Sequence, residues 1–412
     1  MTKIVPGEGW NAETSIRVIN RKRVLTLILY RPGLTRTALA EACGLSNATV
    51  SSLVAELLEE GVLHEHDEGG RLQRNRTLWL NRNAGCAIGI ELSPRHCRAV
   101  LADMEMNVVS RVERALPNTL VDDTIRALAD VVQELRAGAN APLLGVAVAV
   151  PGPNDLEGQR VVFSESLGWS DVALAERLGA LTGCPVSVIN RPKAGVLGEH
   201  WYGAGQGIDN LVYVSVSSGI AAGIFIDGQL FTGAFGYGGE LGHTTILDDG
   251  PQCVCGNRGC LEAVASLPAI AAAVCRRIRA GEPCVLSEPP EKQAPYDYEP
   301  LIAAARNGDL VVCEEIRAAS RYLGIAVANL INLFNPQMVI LGGQLALAGE
   351  IVLETVRETA QRRAFPLSFR HVQIVASALR GDSACLGACA SVVAEHINRL
   401  GARQPLSSTA NR

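Results

Sequence analysis

The chain has 412 residues, of which 48% are hydrophobic and 19% are charged, and its formal net charge is −5. This length and composition exclude a disordered chain and allow two or three domains with hydrophobic cores. The first apolar segment, Val24–Tyr30, has only about a third of the ~20 residues of a membrane-spanning helix, so we predict a cytoplasmic protein with no membrane span.

Positive charge is concentrated in the N-terminal part of the chain. Residues 1–83 contain 11 Lys and Arg against 9 Asp and Glu, whereas the remainder contains 26 against 33. Six basic residues and no acid lie between Thr14 and Ala40, and four arginines and no acid lie between Gly69 and Ile90. Segments of one sign are typical of a surface that binds a polyanion, although a solvated basic face has the same composition.

Residues 35–63 predict two helices joined by a tight turn. Thr35 can cap a helix that runs to Cys43, where Gly44 ends it. Ser46 can cap a second helix, whose apolar residues recur at helical spacing. This pattern predicts a DNA-binding helix-turn-helix; one that contacts only other proteins is the alternative. The candidate DNA-contacting side chains of the second helix are small and mostly polar: Ser46, Asn47, Ala48, Thr49 and Ser52.

A two-stranded wing is predicted after the second helix. Its tip lies near Gly69 and Gly70, and Arg71, Arg74 and Arg76 could reach the DNA backbone or the minor groove. We therefore interpret residues 1–83 as a winged helix-turn-helix domain that binds double-stranded operator DNA.

After Asn83, apolar strands alternate with longer helical stretches. A first set has strands at Ala87–Leu92, Arg98–Asp103, Val108–Arg114, LLGVAVAVPGP and Val186–Asn190, and helices at Thr119–Ala137 and Asp171–Leu181. A second set has strands YVSVSSG, GIFIDGQ and MVILGG, and helices around Ala263–Ala280, Leu310–Phe334 and Gly349–Arg363. Two such sets in tandem predict an α/β fold of two lobes, with a ligand-binding cleft between them.

The chain has twelve cysteines, most of them single in Ala-, Val- and Leu-rich stretches. A disulfide framework is typical of short secreted chains, so we expect nine of them to be small core residues or bystanders. The other three form the pattern Cys253-x-Cys255-x4-Cys260, with His243 ten residues upstream of Cys253. These four ligands suffice for a tetrahedral zinc ion. Four ordinary side chains without a metal remain the alternative.

Four segments together resemble the ROK family: GVAVAVPGP, VINRPKAGVLGE, GGELGH and CVCGNRGCLE. The family contains sugar kinases and sugar-responsive transcriptional repressors. The resemblance implies a winged helix-turn-helix followed by a two-lobed, actin-like (ribonuclease H-like) α/β domain. Lobe 1 would span 84–190, completed by a C-terminal helix at about 382–400, and lobe 2 would span 191–381 with a zinc loop at 243–260. This domain order is similar to that of the glucose, N-acetylglucosamine and xylose repressors.

The resemblance also implies roles for individual residues. Sugar hydroxyls would be held by Asn190, Glu240, His243 and Glu262, and one structural zinc ion per chain by His243, Cys253, Cys255 and Cys260. His243 belongs to both sets because an imidazole has two nitrogens. The implied partners are operator DNA, a sugar or sugar phosphate effector, and a second copy of the chain in a homodimer or dimer of dimers. Sensing of a protein partner is a variant.

Three departures from the family's kinases predict that the protein is not an enzyme. Glu91–Arg95 replaces an Asp-x-Gly-Gly-Thr turn, and Pro94 within it has no amide proton to offer a phosphate. Residues 217–221 read SSGIA where the kinases have Gly-Thr-Gly-Ile-Gly. Arg191 replaces the aspartate that acts as general base, and an arginine cannot accept that proton. An active sugar kinase with an accessory DNA-binding domain is the alternative.

Arg191 allows two interpretations. With Lys193 two residues away, its guanidinium could bind the phosphate of a sugar that is already phosphorylated. Alternatively, Arg191 pairs with a nearby acid such as Glu199 and only holds the lobes together.

Overall fold

The computed structural model describes residues 16–67, 76–286, 297–379 and 381–402. These residues form one three-stranded sheet, two five-stranded sheets and a two-stranded ribbon, with helices packed between and around them. Among the described helices, none combines the length and apolar character needed to cross a membrane.

The N-terminal unit is a winged helix-turn-helix. It contains α1 (Ile16–Tyr30), β1 (Leu34–Thr35), α2 (Arg36–Cys43), α3 (Asn47–Glu59), β2 (Leu63–Asp67) and β3 (Arg76–Leu80). The predicted caps are present: the Thr35 hydroxyl accepts from Ala38 N, and the Ser46 hydroxyl accepts from Thr49 N at 3.1 Å. Gly44 ends α2 with a φ of 63°, a left-handed conformation that glycine adopts without strain. This part of the fold prediction is confirmed.

The first large sheet has the strand order β10-β7-β4-β5-β6. Its strands are β4 (Cys86–Leu92), β5 (His96–Asp103), β6 (Val108–Ala115), β7 (Leu143–Val150) and β10 (Val186–Asn190). One face is covered by α4 (Val121–Ala137) and α5 (Leu174–Thr182), and a ribbon of β8 (Val161–Ser164) and β9 (Trp169–Val172) follows β7. Because β4, β7 and β10 are parallel, their carboxyl ends meet at one edge, which brings Glu91 and Asn190 to the same side of the sheet.

The second large sheet has the order β13-β12-β11-β14-β15. Its strands are β11 (Leu211–Val216), β12 (Ile220–Ile226), β13 (Gln229–Phe231), β14 (Met338–Gly342) and β15 (Gln373–Ala376). The helices that accompany this sheet are α7 (Leu261–Ala265), α8 (Leu267–Arg279), α9 (Glu299–Arg306), α10 (Leu310–Phe334), α11 (Glu350–Arg363) and α12 (Pro366–Phe369). The single helix predicted around 263–280 is wrong, because Ser266 ends α7 in an extended conformation and then caps α8.

Two helices join the lobes. They are α6 (Arg191–Tyr202) and α13 (Ser383–Ala402), which pack on each other, and α13 also covers β4 and β7. The helices approach closely at Gly387, where a Cβ would overlap the carbonyl oxygen of Ala194. The C-terminal helix therefore packs on both α6 and the first sheet.

The N-terminal unit is docked on these joining helices. Helix α1 packs against α13, and the buried Arg21 donates from Nε to the carbonyl of Leu400 at 3.3 Å. The Tyr30 ring lies 5.6 Å from the ring of His200 and 5.1 Å from that of Trp201, both on α6. One hydrophobic cluster runs from α1 through α6 and α13. A movement of the joining helices would thus reach the N-terminal unit by direct contact.

Candidate functional site

The cluster of His243, Cys253, Cys255 and Cys260 is assembled as its spacing predicts. One ligand atom of each residue lies within 4.8 Å of the other three. Nδ1 of His243 lies 3.7 Å from Sγ of Cys253, and Sγ of Cys255 lies 3.7 Å from Sγ of Cys260. Metal–sulfur bonds of about 2.3 Å and metal–nitrogen bonds of about 2.0–2.1 Å give tetrahedron edges of about 3.6–3.8 Å. The cluster therefore fits one tetrahedral metal ion held by four protein ligands.

Backbone hydrogen bonds fold the loop that carries these ligands. Cys253 N donates to Asn257 O at 2.8 Å, and Leu261 N donates to Thr244 O at 2.9 Å. Gly259 has a φ of 67° and lies where a Cβ would overlap the carbonyl of Leu247. The loop turns back on itself, and α7 begins directly after Cys260.

Glu262 is fixed by the start of α7. Its Oε2 accepts a hydrogen bond from Ile220 N, the first residue of β12, at 2.8 Å. A Cβ at Gly219 would lie 2.8 Å from the same oxygen, so a side chain there would displace the carboxylate. The glycine next to β12 therefore makes room for Glu262.

Glu240 lies close enough to Glu262 and His243 for their charges to act on its carboxyl group. Burial raises the pKa of Glu240; His243 and Lys193 act to lower that pKa, and Glu262 acts to raise it. The structure thus brings three of the four predicted sugar-binding side chains, Glu240, His243 and Glu262, near one another and near Lys193. A cluster of acceptors and donors of this kind can bind several hydroxyl groups.

Lys193 approaches this neighbourhood from α6, which begins directly after Asn190. Asn190, at the end of β10, donates from Nδ2 to the carbonyl of Gly152 at 2.8 Å. Lys193 is buried and donates from Nζ to the carbonyl of Gly236. Burial lowers the pKa of Lys193, and the charge of Glu240 acts against this. The sequence indicated Lys193 only as a second positive charge near Arg191. Its hydrogen bond to Gly236 could not be predicted, because that contact depends on the fold.

A cavity of about 380 Å³ opens beside these residues. Its lining includes Asn154, Lys193 and Gly236, together with Glu395 and Arg399 of α13, but not Glu240, His243 or Glu262. Glu240, His243 and Glu262 are therefore grouped together without lining this cavity, and Asn190 does not line it either. Lys193 and Gly236, which are hydrogen-bonded to each other, line the cavity, and the charge of Lys193 also acts on Glu240.

Arg191 is paired with Glu91 and not with Glu199. Its Nη2 lies 3.0 Å from Oε1 of Glu91, and both side chains are largely buried. The suggested partner, Glu199, is fully buried, and its carboxylate accepts from Ser377, from Ser383 at 2.7 Å and from Ala204 N at 3.0 Å. That suggestion was wrong because Glu199 lies about two turns further along α6, whereas the parallel strands place Glu91 opposite Arg191.

Internal hydrogen bonds hold the two segments in which the sequence differs from the family's kinases, residues 91–95 and 217–221. Ser93 N donates to His96 O at 3.0 Å, and Ser93 Oγ donates to the same oxygen at 2.7 Å. In the second segment, Ser217 N donates to Gly219 O at 2.9 Å, while Ile220 N donates to Glu262. These three amides are therefore engaged within the protein.

The first turn of α3 presents a polar surface. Asn47, Ala48 and Ser52 are exposed, whereas Thr49 is half-buried and its hydroxyl lies 2.9 Å from that of Ser46. Thr49 therefore serves the helix cap. Ser51 and Ala55 are also exposed on this helix, although sequence reasoning did not select them.

The basic segments are more neutralised than the sequence suggested. Four of the six basic residues between Thr14 and Ala40 pair with acids from other elements: Arg17 with Glu56, Arg21 with Glu60, Arg31 with Asp209 and Arg36 with Glu65. Arg76 also lies 3.1 Å from Glu65. Arg71 and Arg74 lie outside the described residues. Folding brings in acids that are distant in sequence, so a run of one sign overstated the free positive charge.

Comparison with known proteins agrees with this architecture. The sequence model of the ROK family matches residues 87–395, and a model described as "Winged helix-turn-helix DNA-binding" matches residues 19–63. The chain belongs to the ROK family. The predicted membership and fold class are confirmed.

ROK relatives include both repressors and kinases. A xylose repressor of Caldicellulosiruptor bescii is 33% identical over 93% of this chain and 98% of its own length. A glucokinase of Thermotoga maritima is 37% identical over 75% of this chain and 98% of its own. The crystal structure of a ROK family transcriptional regulator, a homolog of the Escherichia coli MLC protein, superposes with a TM-score of 0.79 at 28% identity, covering 94% of this chain and 99% of that one. The repressor and the regulator match this chain over 93% and 94% of its length, in agreement with the predicted sugar-responsive repressor.

Proposed function

We propose that this ROK protein is a cytoplasmic, sugar-responsive transcriptional repressor whose kinase-like domain binds a sugar without phosphorylating it. The observation that carries the proposal is the docking of α1 on α6 and α13. Arg21 bonds to Leu400, and Tyr30 packs on His200 and Trp201, so the DNA-binding unit contacts the helices that join the lobes. A ligand that shifts lobe closure would alter the position of α3 through these contacts.

The DNA-binding half of the proposal rests on the first turn of α3. Asn47, Ala48 and Ser52 would meet base edges in a major groove, with Ser46 and Thr49 supporting the helix start. Arg71, Arg74 and Arg76 of the wing would contribute phosphate or minor-groove contacts. We expect a palindromic operator bound by a homodimer or a dimer of dimers, because a two-fold protein matches a two-fold site.

The sensing half rests on Asn190, Glu240, His243 and Glu262. Their amide, carboxylate and imidazole groups would hold sugar hydroxyls, and Lys193 would position Glu240 and the loop at Gly236. The ion pair between Arg191 and Glu91 supports an unphosphorylated sugar, since a phosphate would have to displace Glu91 from the guanidinium.

Zinc is the metal we propose for the four-ligand cluster. Three thiolates and one imidazole are ligands that zinc prefers, and the 3.7 Å separations suit its bond lengths. Four protein ligands leave no position for a reacting water, so the ion would be structural. It would fix the His243 ring and leave Nε2 for a sugar hydroxyl.

Loss of phosphoryl transfer is supported by the closed segments at Ser93 and Ser217 and by the cation at position 191. Because a glucokinase is among the relatives, an active sugar kinase is the competing function. The experiment is to incubate the purified protein with ATP and a panel of hexoses, and in parallel with duplexes selected from a random library. The proposal expects selective DNA binding that one sugar alters, and no sugar-dependent ADP. ADP formation at enzymatic rates would favour the kinase.

A variant of the proposal has a protein partner as the signal. Sugar binding by the purified protein, measured by calorimetry, separates the two. Heat of binding from a free sugar supports direct sensing; its absence across the panel, together with intact DNA binding, supports the protein partner.

A further inference from the structure

A second cluster of metal-binding side chains lies between the wing and the first lobe. His64 and His66 are two residues apart on β2, so their side chains share one face of that strand. Their rings have centroids 4.8 Å apart. Glu105 comes from the turn between β5 and β6, in the other domain, and its Oε1 lies 3.3 Å from Nε2 of His64. One ligand atom of each residue lies within 4.8 Å of the other two.

Among the described side chains, Glu105 is the acid that faces the histidines, and Asn107 helps to hold it there. Asn107 donates from Nδ2 to Glu105 Oε2 at 3.4 Å, so Oε1 is the oxygen that faces His64. The nearby Asp103 is engaged by Asn107 and lies 3.5 Å from Arg82. A supported carboxylate beside two imidazoles is a typical ligand arrangement for a metal ion.

The other ring nitrogen of His64 lacks a partner among the described residues. Its Nδ1 is buried and has no hydrogen bond to any described residue. A buried polar atom without a partner is unfavourable, and such atoms in native proteins commonly mark a water or an ion. His66 is exposed, so the cluster is open to solvent on that side and an ion could enter and leave.

We propose that His64, His66 and Glu105 bind a divalent first-row transition metal ion, separately from the His243 cluster, and that this ion ties the wing to the first lobe. Two imidazoles and one carboxylate suit zinc, cobalt or nickel, and the remaining positions would be filled by water. The ion would bind reversibly, because three ligands with one exposed side chain form a weaker site than four enclosed ones. It would restrain β2, the strand paired with β3 in the wing.

Titration of the full chain with Zn²⁺ by isothermal calorimetry tests the site. The protein is prepared with its cysteine cluster filled and then transferred to zinc-free buffer without chelator. The proposal expects one additional, weaker site per chain in the wild type. His66→Ala and Glu105→Gln should each weaken it at least about tenfold, since the loss of even an outer partner of a ligand costs roughly 10–100-fold. His371→Ala, at another exposed histidine, is the matched control and should bind as the wild type does.

Cobalt distinguishes this site from the cysteine cluster. Co²⁺ added to zinc-filled protein should bind without thiolate charge-transfer absorption, because the proposed ligands contain no sulfur. Absence of the additional site, or equal binding by the two variants and the control, would overturn the proposal.

The bridge between domains needs its own readout. Zn²⁺ should slow amide hydrogen exchange in both 63–67 and 103–107 in the wild type, and in neither segment in Glu105→Gln. Two results would overturn the bridge, because each would place the ion on the wing alone. One is slower amide exchange in residues 63–67 only, and the other is a metal site that is lost in His66→Ala but kept in Glu105→Gln.

Discussion

The guanidinium of Arg191 lies 3.0 Å from the carboxylate of Glu91, at the edge of the first sheet where the parallel strands end. The sequence resemblance to the family's kinases implies that Arg191 stands where they have the general base and that Glu91 lies in the first phosphate turn. The second oxygen of Glu91 is buried without a hydrogen-bond partner among the described residues. Each residue therefore compensates the charge of the other.

Breaking this pair should destabilise the protein. Arg191→Ala leaves a largely buried carboxylate without its cation, so we expect the free energy of unfolding to fall by about 3 kcal/mol. Urea unfolding followed by fluorescence measures the change. The double variant Arg191→Met with Glu91→Leu should recover most of the stability, because two apolar side chains leave no buried charge. Single and double variants with equal loss of stability would contradict a specific pair.

The same variant tests the effector. Free-sugar affinity should change little in Arg191→Ala, since the guanidinium is engaged by Glu91. Calorimetry with a sugar and its phosphate measures both affinities. A wild-type preference for the phosphate that disappears in Arg191→Ala would show that Arg191 leaves Glu91 to bind phosphate, against our proposal.

Zinc content should follow the cysteine cluster. The purified wild type should contain about one zinc per chain, and Cys255→Ser should lose it, because three ligands cannot close the tetrahedron. Sugar affinity should weaken at the same time through His243. Cys184→Ser, a half-buried cysteine outside the cluster, is the control and should keep its zinc. Atomic absorption measures the zinc content of each protein. If the wild type, prepared without chelator, contains no zinc, the metal assignment is contradicted.

The recognition helix should set sequence preference. Asn47→Ala should reduce discrimination between operator and non-operator duplexes by about 1–3 kcal/mol, the cost of a lost base contact. Arg76→Ala should instead weaken binding to all duplexes and reduce the salt dependence. Fluorescence anisotropy at several salt concentrations measures both effects. Glu59→Ala, exposed at the other end of α3, is the control. Equal effects of Asn47→Ala on all sequences would remove its role in base recognition.

Lys193 predicts a dependence of stability on pH. Burial lowers its pKa below the usual 10.5, so between the lowered value and 10.5 the unfolded chain binds more protons at this position than the folded chain. Its contribution to stability should therefore rise with pH in that window. Unfolding free energies of the wild type and Lys193→Met, compared from pH 7 to about 10.5, should differ increasingly in favour of the wild type. A constant difference, or one of opposite sign, would contradict the lowered pKa.

The sequence predicted features that depend on residues close together in the chain, and missed features that depend on contacts between distant segments. The caps at Thr35 and Ser46, and the spacing of His243 and the three cysteines, depend on residues close in the chain, and the structure has these elements as predicted. The partner of Arg191 depends on the strand order β10-β7-β4, which no local pattern specifies.

Other features were missed for the same reason. The pairing of Arg17 with Glu56 joins residues of two helices, so the basic run could not reveal it. The ribbon of β8 and β9 was not predicted, because its four-residue strands are too short for a clear alternation. The approach of Glu105 to His64 crosses a domain boundary.

The most direct test of the central claim is the affinity of the full chain for its selected duplex, measured by fluorescence anisotropy with and without each sugar of a hexose and pentose panel. We expect one unphosphorylated sugar to change the dissociation constant for DNA at least about tenfold. This corresponds to a coupling free energy between the sugar site and the DNA site of about 1.4 kcal/mol. We also expect Glu240→Gln to abolish this change while leaving DNA affinity without sugar intact. A protein that selects no sequence, or whose DNA affinity is the same with every sugar that it binds, would contradict the account.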